Sequence, residues 1–325
     1  MTTDNKSNTQ TIKIPIGISS CLMGEKVRFD GGHKNSPYIT QTLSDYFDFQ
    51  PFCPEVSIGL GIPRETIRLV KDKADGPVRA VGVKDQDKDV TEALADCARQ
   101  QFHWIEKLSG YIFKKDSPSC GMERVKIYYK TTPSRNGIGI YAQAILEHFP
   151  HLPTEEEGRL GDPRLRENFI KRVFIYQRWR DLIDNQPTKN ALVDFHAQHK
   201  LIYMSHSQVE AKALGRLVAR IGDLELDDYC DQYLAAITEL LKKPASQKNH
   251  VNTLKHIQGY LKRDLDSDDK QELHETIEQY RLGYLPLIVP ITLLRHHFRR
   301  CPNEYIAQSF YMQPHPNELM LRNLL

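Results

Sequence analysis

The sequence predicts an α/β N-terminal domain with a largely parallel sheet, followed by an all-α helical-bundle domain. Three observations predict it. Up to about residue 150, short apolar runs end in turns and alternate with one long helical pattern. The stretch "HFPHLPTEEEGRLGDPRLREN" is then rich in Pro, Gly and Glu and reads as a boundary. From about residue 163 onward, apolar residues recur at three-to-four spacing with charges between them.

In chain order, "MTTDNKSNTQ" is polar, and residues 1–11 are expected to be a disordered start. Residues 12–150 form the first domain, with "TIKIPIGISS", "YFDFQPF", "VRAVGV" and "GYIFKK" as strands. "DVTEALADCARQQFHWIEKLSG" is a helix, started at Thr91 and closed by Gly110. Residues 151–162 are expected to be a linker, and residues 163–325 a helical bundle. Its helices read as "RLRENFIKRVFIYQRWRDLI", "NALVDFHAQHKLIYMSH", "QVEAKALGRLVARIG", "LDDYCDQYLAAITELLKK", "NHVNTLKHIQGYLKRDL" and "SDDKQELHETIEQYRLG". Gly283 is a helix stop, and "YLPLIVP" reads as buried extended chain between prolines.

Composition narrows the function classes. The chain has 325 residues, 40% hydrophobic and 26% charged, enough for two ordinary globular domains. No apolar run approaches the ~20 residues of a spanning helix, and the polar start lacks a signal-peptide core, so a cytoplasmic location is expected. Structural disulfides are not expected there, which leaves six cysteines as buried thiols, metal ligands or reactive groups. A net charge of +2 gives no global argument for nucleic acid, so any basic surface is local.

Three of the cysteines are delivered alike. Cys21 follows "KIPIGISS", Cys53 follows "FDFQPF", and Cys120 follows "YIFKKDSPS", each just past a strand and beside Ser, Pro or Gly. In a parallel α/β sheet, ligands bind beyond the carboxyl ends of the strands. Taken singly, each is as well read as a buried thiol; together they suggest convergence. A structural zinc normally takes four ligands in local C-x-x-C pairs, and none exists here. Three soft ligands match a cubane iron–sulfur cluster that keeps one iron open. Cys97, Cys230 and Cys301 fall in or beside helical patterns and read as core residues.

The motifs "GISSCLMGEKVRFDGGHK", "FCPEVSIGLGIPRE" and "KKDSPSCG" resemble the thiouracil desulfidase family, in three blocks covering most of residues 12–145. That resemblance implies a 4Fe-4S cluster on Cys21, Cys53 and Cys120 with one open iron, and a catalytic glutamate at Glu55. It places the catalytic serine at Ser117 or Ser119. Without it, Glu55 reads as a turn cap or a partner of Arg64 or Arg68, and Ser117-Pro118 as a turn start. "DGGHK" reads either as a tight turn needing positive φ or as a glycine loop with His33 and Lys34 as substrate contacts. Arg64, in "PRE", is placed on the same edge as a candidate anion contact.

The second half, through "EEEGRLGDPRLRENFIKRVFIYQRW", "HVNTLKHIQGYLKRDL" and "YRLGYLPLIVPITLLRHHFRR", is similar to a helical domain of long-unknown function. The fused arrangement resembles tRNA 4-thiouridine desulfidases and implies tRNA containing 4-thiouridine as the partner. Within residues 164–180, Arg172, Arg178 and Arg180 flank Trp179, and Arg299 and Arg300 end a second basic cluster. Basic side chains beside aromatics suit phosphate contact and base stacking, although a solvated helix face explains the first segment equally well. His250, His256, His296 and His297 lack the spacing of a helical metal site and read as core or surface. Two other functions compete: a desulfidase of free thiouracil or another small thiolated base, and a non-catalytic iron–sulfur or RNA-binding regulator.

Overall fold

In a computed structural model of the chain, residues 13–129, 132–316, 319 and 321–322 are described. The expected disordered start, 1–11, lies outside them. The chain divides into two units after Gly158.

The first unit contains strand β1 (Ile14–Ser19), β2 (Phe47–Phe52), the short helix α1 (Pro54–Ser57), β3 (Ile67–Val70) and β4 (Arg79–Gly82). Helix α2 (Thr91–Ile105), β5 (Gly110–Phe113), β6 (Val125–Tyr129), β7 (Thr132–Gly137), α3 (Ile140–His148) and β8 (Thr154–Glu156) follow. Strands β2, β1, β5 and β8 form, in that order, a fully parallel sheet. Ile14, Ile16 and Ile18 of β1 and all four residues of β5 are buried, as expected of central strands covered on both faces. Phe52 of β2 packs its ring on Tyr141 of α3 and Trp104 of α2.

The largely parallel sheet expected of the first domain is this one, and the structure adds another beside it. A second, mixed sheet exists, in the order β4, β3, β6, β7. Its β3–β4 and β6–β7 pairs are antiparallel, and β3–β6 is parallel. The "VRAVGV" run belongs to this sheet, because its short connection to β3 allows only an antiparallel return. The expected linker 151–162 instead contains β8, paired with β5 through Tyr111–Phe113. Gly110, expected as a helix stop, is the first residue of β5.

The second unit is helical: α4 (Pro163–Asp184), α5 (Lys189–His206), α6 (Gln208–Ala219), α7 (Leu226–Lys242), α8 (Gln247–Gln258), α9 (Ser267–Arg281), α10 (Ile288–Arg300) and α11 (Glu304–Gln308). Side-chain caps start six of them: Asp162, Thr188, Ser207, Ser246, Asp266 and Asn303 each accept a first-turn N–H. One core runs through the unit from Ile175 and Trp179 to Leu294 and Tyr311. Gly283 has the positive φ of 81° expected of a helix stop. The expected extended "YLPLIVP" instead leads into α10, where Pro290 occupies the first turn and forfeits no intrahelical bond. Cys97 is buried in α2, and Cys230 and Cys301 are half-buried on α7 and at the end of α10.

Candidate functional site

β2, β1 and β5 are adjacent and parallel, so their carboxyl ends open on one edge. Each delivers one cysteine there. Cys53 directly follows β2 and starts α1. Cys21 lies in a single 3-10 turn after β1, ended by Gly24 at φ 93°. Cys120 follows β5 across the turn of residues 115–120. All three line one cavity of about 330 Å³ together with Lys34, Glu55, Arg64, Lys114, Ser117 and Ser119.

The turn carrying Cys120 is fixed through its backbone. Ser117 Oγ accepts from the N–H groups of Ser119 (3.3 Å) and Cys120 (3.1 Å). The first turn of α3 reaches back, Ile140 N–H to Pro118 O and Ala142 N–H to Ser119 O, both at 3.1 Å. This close approach requires glycine at 139, where a Cβ would stand 2.5 Å from the Ser119 carbonyl. Glu156 of β8 accepts from the N–H of Met122 at 2.9 Å, holding the chain beyond the cysteine. Gly139 and Glu156 escaped sequence reading, since neither carries a motif of its own.

A hydrogen-bonded chain crosses the cavity wall. Arg64 donates from Nε (2.9 Å) and Nη2 (2.8 Å) to Glu55 Oε2. Ser119 Oγ donates to Glu55 Oε1 at 2.6 Å and lies 2.9 Å from Ser117 Oγ. Both serines and Glu55 are thus brought together, with Ser119 in direct contact with the carboxylate. Burial raises all three thiols: Cys21 to about 11, and Cys53 and Cys120 above the ordinary range. As free thiols they keep their protons.

Lys34 reaches the cavity because its N–H donates to Cys21 O at 2.8 Å. Gly31, at φ 73°, makes the tight turn before it. His33 is exposed, does not line the cavity, and accepts the N–H of Asn35 at Nδ1. Lys114, missed in the sequence, lines the cavity and pairs with Glu157.

In the helical unit the expected stacking platform is overturned. Trp179 is 3% exposed and packs on Tyr233 and Phe195, so its face is unavailable to a base. Arg178 is drawn inward too: it donates to Pro314 O at 2.7 Å, lies 3.7 Å over the Phe310 ring, and burial lowers it to about 10. Arg172 and Arg180 are half-buried, whereas Arg299 and Arg300 are exposed, Arg300 3.5 Å from Asp269. No helix among the described residues is long and apolar enough to cross a membrane.

Residues 16–157 match the family model "2-thiouracil desulfurase", and residues 200–316 match "Protein of unknown function (DUF1722)". The chain is 34% identical over 161 residues to the uncharacterized protein YbgA of Escherichia coli (strain K12), covering 49% of this chain and 95% of that one. It is 32% identical over 110 residues to the uncharacterized protein YbbK of Bacillus subtilis (strain 168), covering 32% of this chain and 71% of the relative. A solved structure of the 4Fe-4S-dependent thiouracil desulfidase TudS aligns with 46% of this chain and 95% of its own, at 25% identity and a TM-score of 0.36. The chain is thus a thiouracil desulfidase-like domain fused to a helical domain of the DUF1722 type.

Proposed function

We propose that the protein is an iron–sulfur-dependent desulfidase of a thiolated pyrimidine, and that its substrate is 4-thiouridine in tRNA, converted to uridine. The observation that carries this reading is the meeting of three thiols with the Glu55–Ser119 pair in one cavity. The donor set fits a 4Fe-4S cluster. Cys21, Cys53 and Cys120 are all soft ligands, and all three line the one cavity. A cubane presents its irons at separate corners, which suits thiolates spread around a cavity. When bound, such a cluster supplies an open iron as Lewis acid for the thiocarbonyl sulfur.

The chain's own residues then account for the protons. Hydrolysis forms a C4–O bond, breaks the C4–S bond and releases sulfide, with no net electron transfer. Glu55 is the general base for the attacking water, its carboxylate gripped and oriented by the Arg64 fork. Ser119 moves a proton to or from that carboxylate, and Ser117 extends the relay while fixing the turn. Arg28, Lys34 and Lys115 on the cavity wall, beside a Lys114 already paired with Glu157, favour a polyanionic substrate, which supports RNA over a free base. The helical domain would add phosphate contacts through exposed side chains such as Arg299 and Arg300.

The test is anaerobic reconstitution with iron and sulfide, followed by incubation with 4-thiouridine-containing tRNA and nucleoside analysis. Cluster-dependent conversion to uridine is expected. Cys21→Ala, Cys53→Ala and Cys120→Ala should each lose iron. Glu55→Gln and Ser119→Ala should keep the iron and lower kcat by about 10²- to 10⁴-fold. Equal kcat/KM on the free thiolated base would move the substrate to a small molecule. No conversion with iron intact would make the protein a regulator.

A further inference from the structure

The helical domain contains a second cavity, of about 440 Å³, walled by α4, α8, α9, the segment around Pro286, and Leu321 and Arg322. Its charged lining is unusual for a bundle interior. Lys171, in the middle of α4, is 2% exposed and fully desolvated. Glu167, one turn earlier, faces it at 3.5 Å. Arg322 places Nε 3.1 Å from the same Glu167 Oε1 and donates from Nη1 to Tyr311 O at 2.7 Å. Among the described residues, one carboxylate thus serves two buried cations. A buried charge without its counterpart is costly, so folds rarely keep one without a use.

The remaining groups point the same way. An ammonium has three donors, and Glu167 is the acceptor that Lys171 reaches among the described residues. His250, buried on α8, bonds through Nδ1 to Tyr311 OH at 2.9 Å and lines the same space. Burial and the neighbouring Lys171 and Arg322 hold its imidazole neutral. Arg164 stands exposed at the mouth, near Asp162, whose carboxylate is engaged in capping α4. A point cation, a planar guanidinium fork and an imidazole, arrayed around one space, suit an oxyanion that accepts from several directions. The volume exceeds that of an ion alone and leaves room for an organic body.

We propose that this cavity binds a phosphate monoester, with Lys171, Arg322 and His250 around the phosphate and Arg164 at the entrance. The site is separate from the cysteine cavity and stands whether or not the desulfidase reading does. The phosphate could come from an RNA 5′ end or from a free nucleotide, and both present the same chemistry.

The full-length protein is titrated calorimetrically with inorganic phosphate, UMP, and a short oligoribonucleotide with and without a 5′-phosphate. Saturable phosphate or UMP binding is expected. Lys171→Met should weaken it at least about tenfold and Arg164→Gln about threefold. Lys171→Met should also melt no lower than the wild type, because it removes surplus buried charge while Arg322 still pairs with Glu167. A 5′-phosphorylated oligonucleotide binding tighter than its 5′-hydroxyl form and than UMP assigns the source to RNA; UMP binding tighter assigns it to a free nucleotide. Absence of binding by every probe up to about 10 mM overturns the proposal. Binding unaffected by both substitutions also overturns it, and Arg164→Gln, at an exposed position, decides the matter if Lys171→Met does not fold.

Discussion

Both domains bury polar groups next to a cavity, and they hold them by opposite means. In the α/β domain the reactive side chains ride on turns at strand ends, and the turns are fixed by backbone: Ser117 Oγ on two N–H groups, α3 on two carbonyls, Gly139 against a peptide plane. In the helical domain the polar cluster gathers from α4, α8 and the turn at Arg322 and is held mainly side chain to side chain, Glu167 between Lys171 and Arg322, His250 on Tyr311. The first arrangement therefore depends on the path of the chain. The second depends on charge balance. Perturbations of charge should strike the helical domain, and perturbations of backbone space the α/β domain.

Acid is the largest such perturbation. Burial lowers His196 and His315 to about 4 and His199 and His206 to about 3, while no described histidine of the α/β domain is buried. Below the ordinary value of 6.5 the unfolded chain takes up protons that these folded sites refuse, so stability falls as pH drops from about 6.5 towards 4. Between pH 7 and 5 each such site costs about 2 kcal/mol, several kcal/mol for the domain. Glu167, held below its usual range by Lys171 and Arg322 against its own burial, adds a loss of the same sign at lower pH. The two tryptophans, Trp104 and Trp179, fall one in each domain, so Trp104→Phe and Trp179→Phe give single-domain reporters. Urea midpoints at pH 7 and 5 should drop far more for Trp179 fluorescence than for Trp104. Equal drops would break the comparison.

Glu167→Gln comes next. It keeps the shape but leaves Lys171 and Arg322 buried without their carboxylate, at a cost of about 3–5 kcal/mol. Melting followed at Trp179 should show it, with iron content after reconstitution unchanged. A neutral outcome would mean that the two cations are already balanced by something else.

The same contrast explains what could be read in the sequence. Cys21, Cys53 and Cys120 were legible because each lies in a turn a few residues long, whose Ser, Pro and Gly carry the geometry locally. The Glu167–Lys171–Arg322–His250 cluster was not. Arg322 stands 155 positions from Glu167, and on α4 alone a Glu-Lys pair one turn apart looks like an exposed helix face. Trp179 misled for a related reason. Basic neighbours suggested a surface, but α4 is buried on several sides, with Asn168, Ile170, Lys171 and Ile175 inside as well. The mixed sheet was hidden because its strands are short and β7 is almost wholly exposed, leaving little apolar alternation to see.

The smallest effects come from two glycines, and they divide the domains most cleanly. At Gly139 an added methyl would meet the Ser119 carbonyl at 2.5 Å and Cys120 N at 2.8 Å. These are backbone atoms of the turn that carries the thiol and the hydroxyl, so they yield only by moving Ser119 away from Glu55 or Cys120 away from its fellows. Gly139→Ala should cost about 1–3 kcal/mol and lower both iron retention and turnover. Gly215, inside α6, has nothing within 4 Å of its added methyl. There Gly215→Ala removes backbone freedom from the unfolded chain, adds helix propensity and should stabilise by about 0.5–1 kcal/mol. Urea midpoints read at Trp104 for the first variant and Trp179 for the second, with iron assayed in both, compare them directly. If Gly139→Ala kept its stability and iron, close backbone packing would not be what holds the cysteine turn, and Ser117 with Glu156 would have to hold it alone.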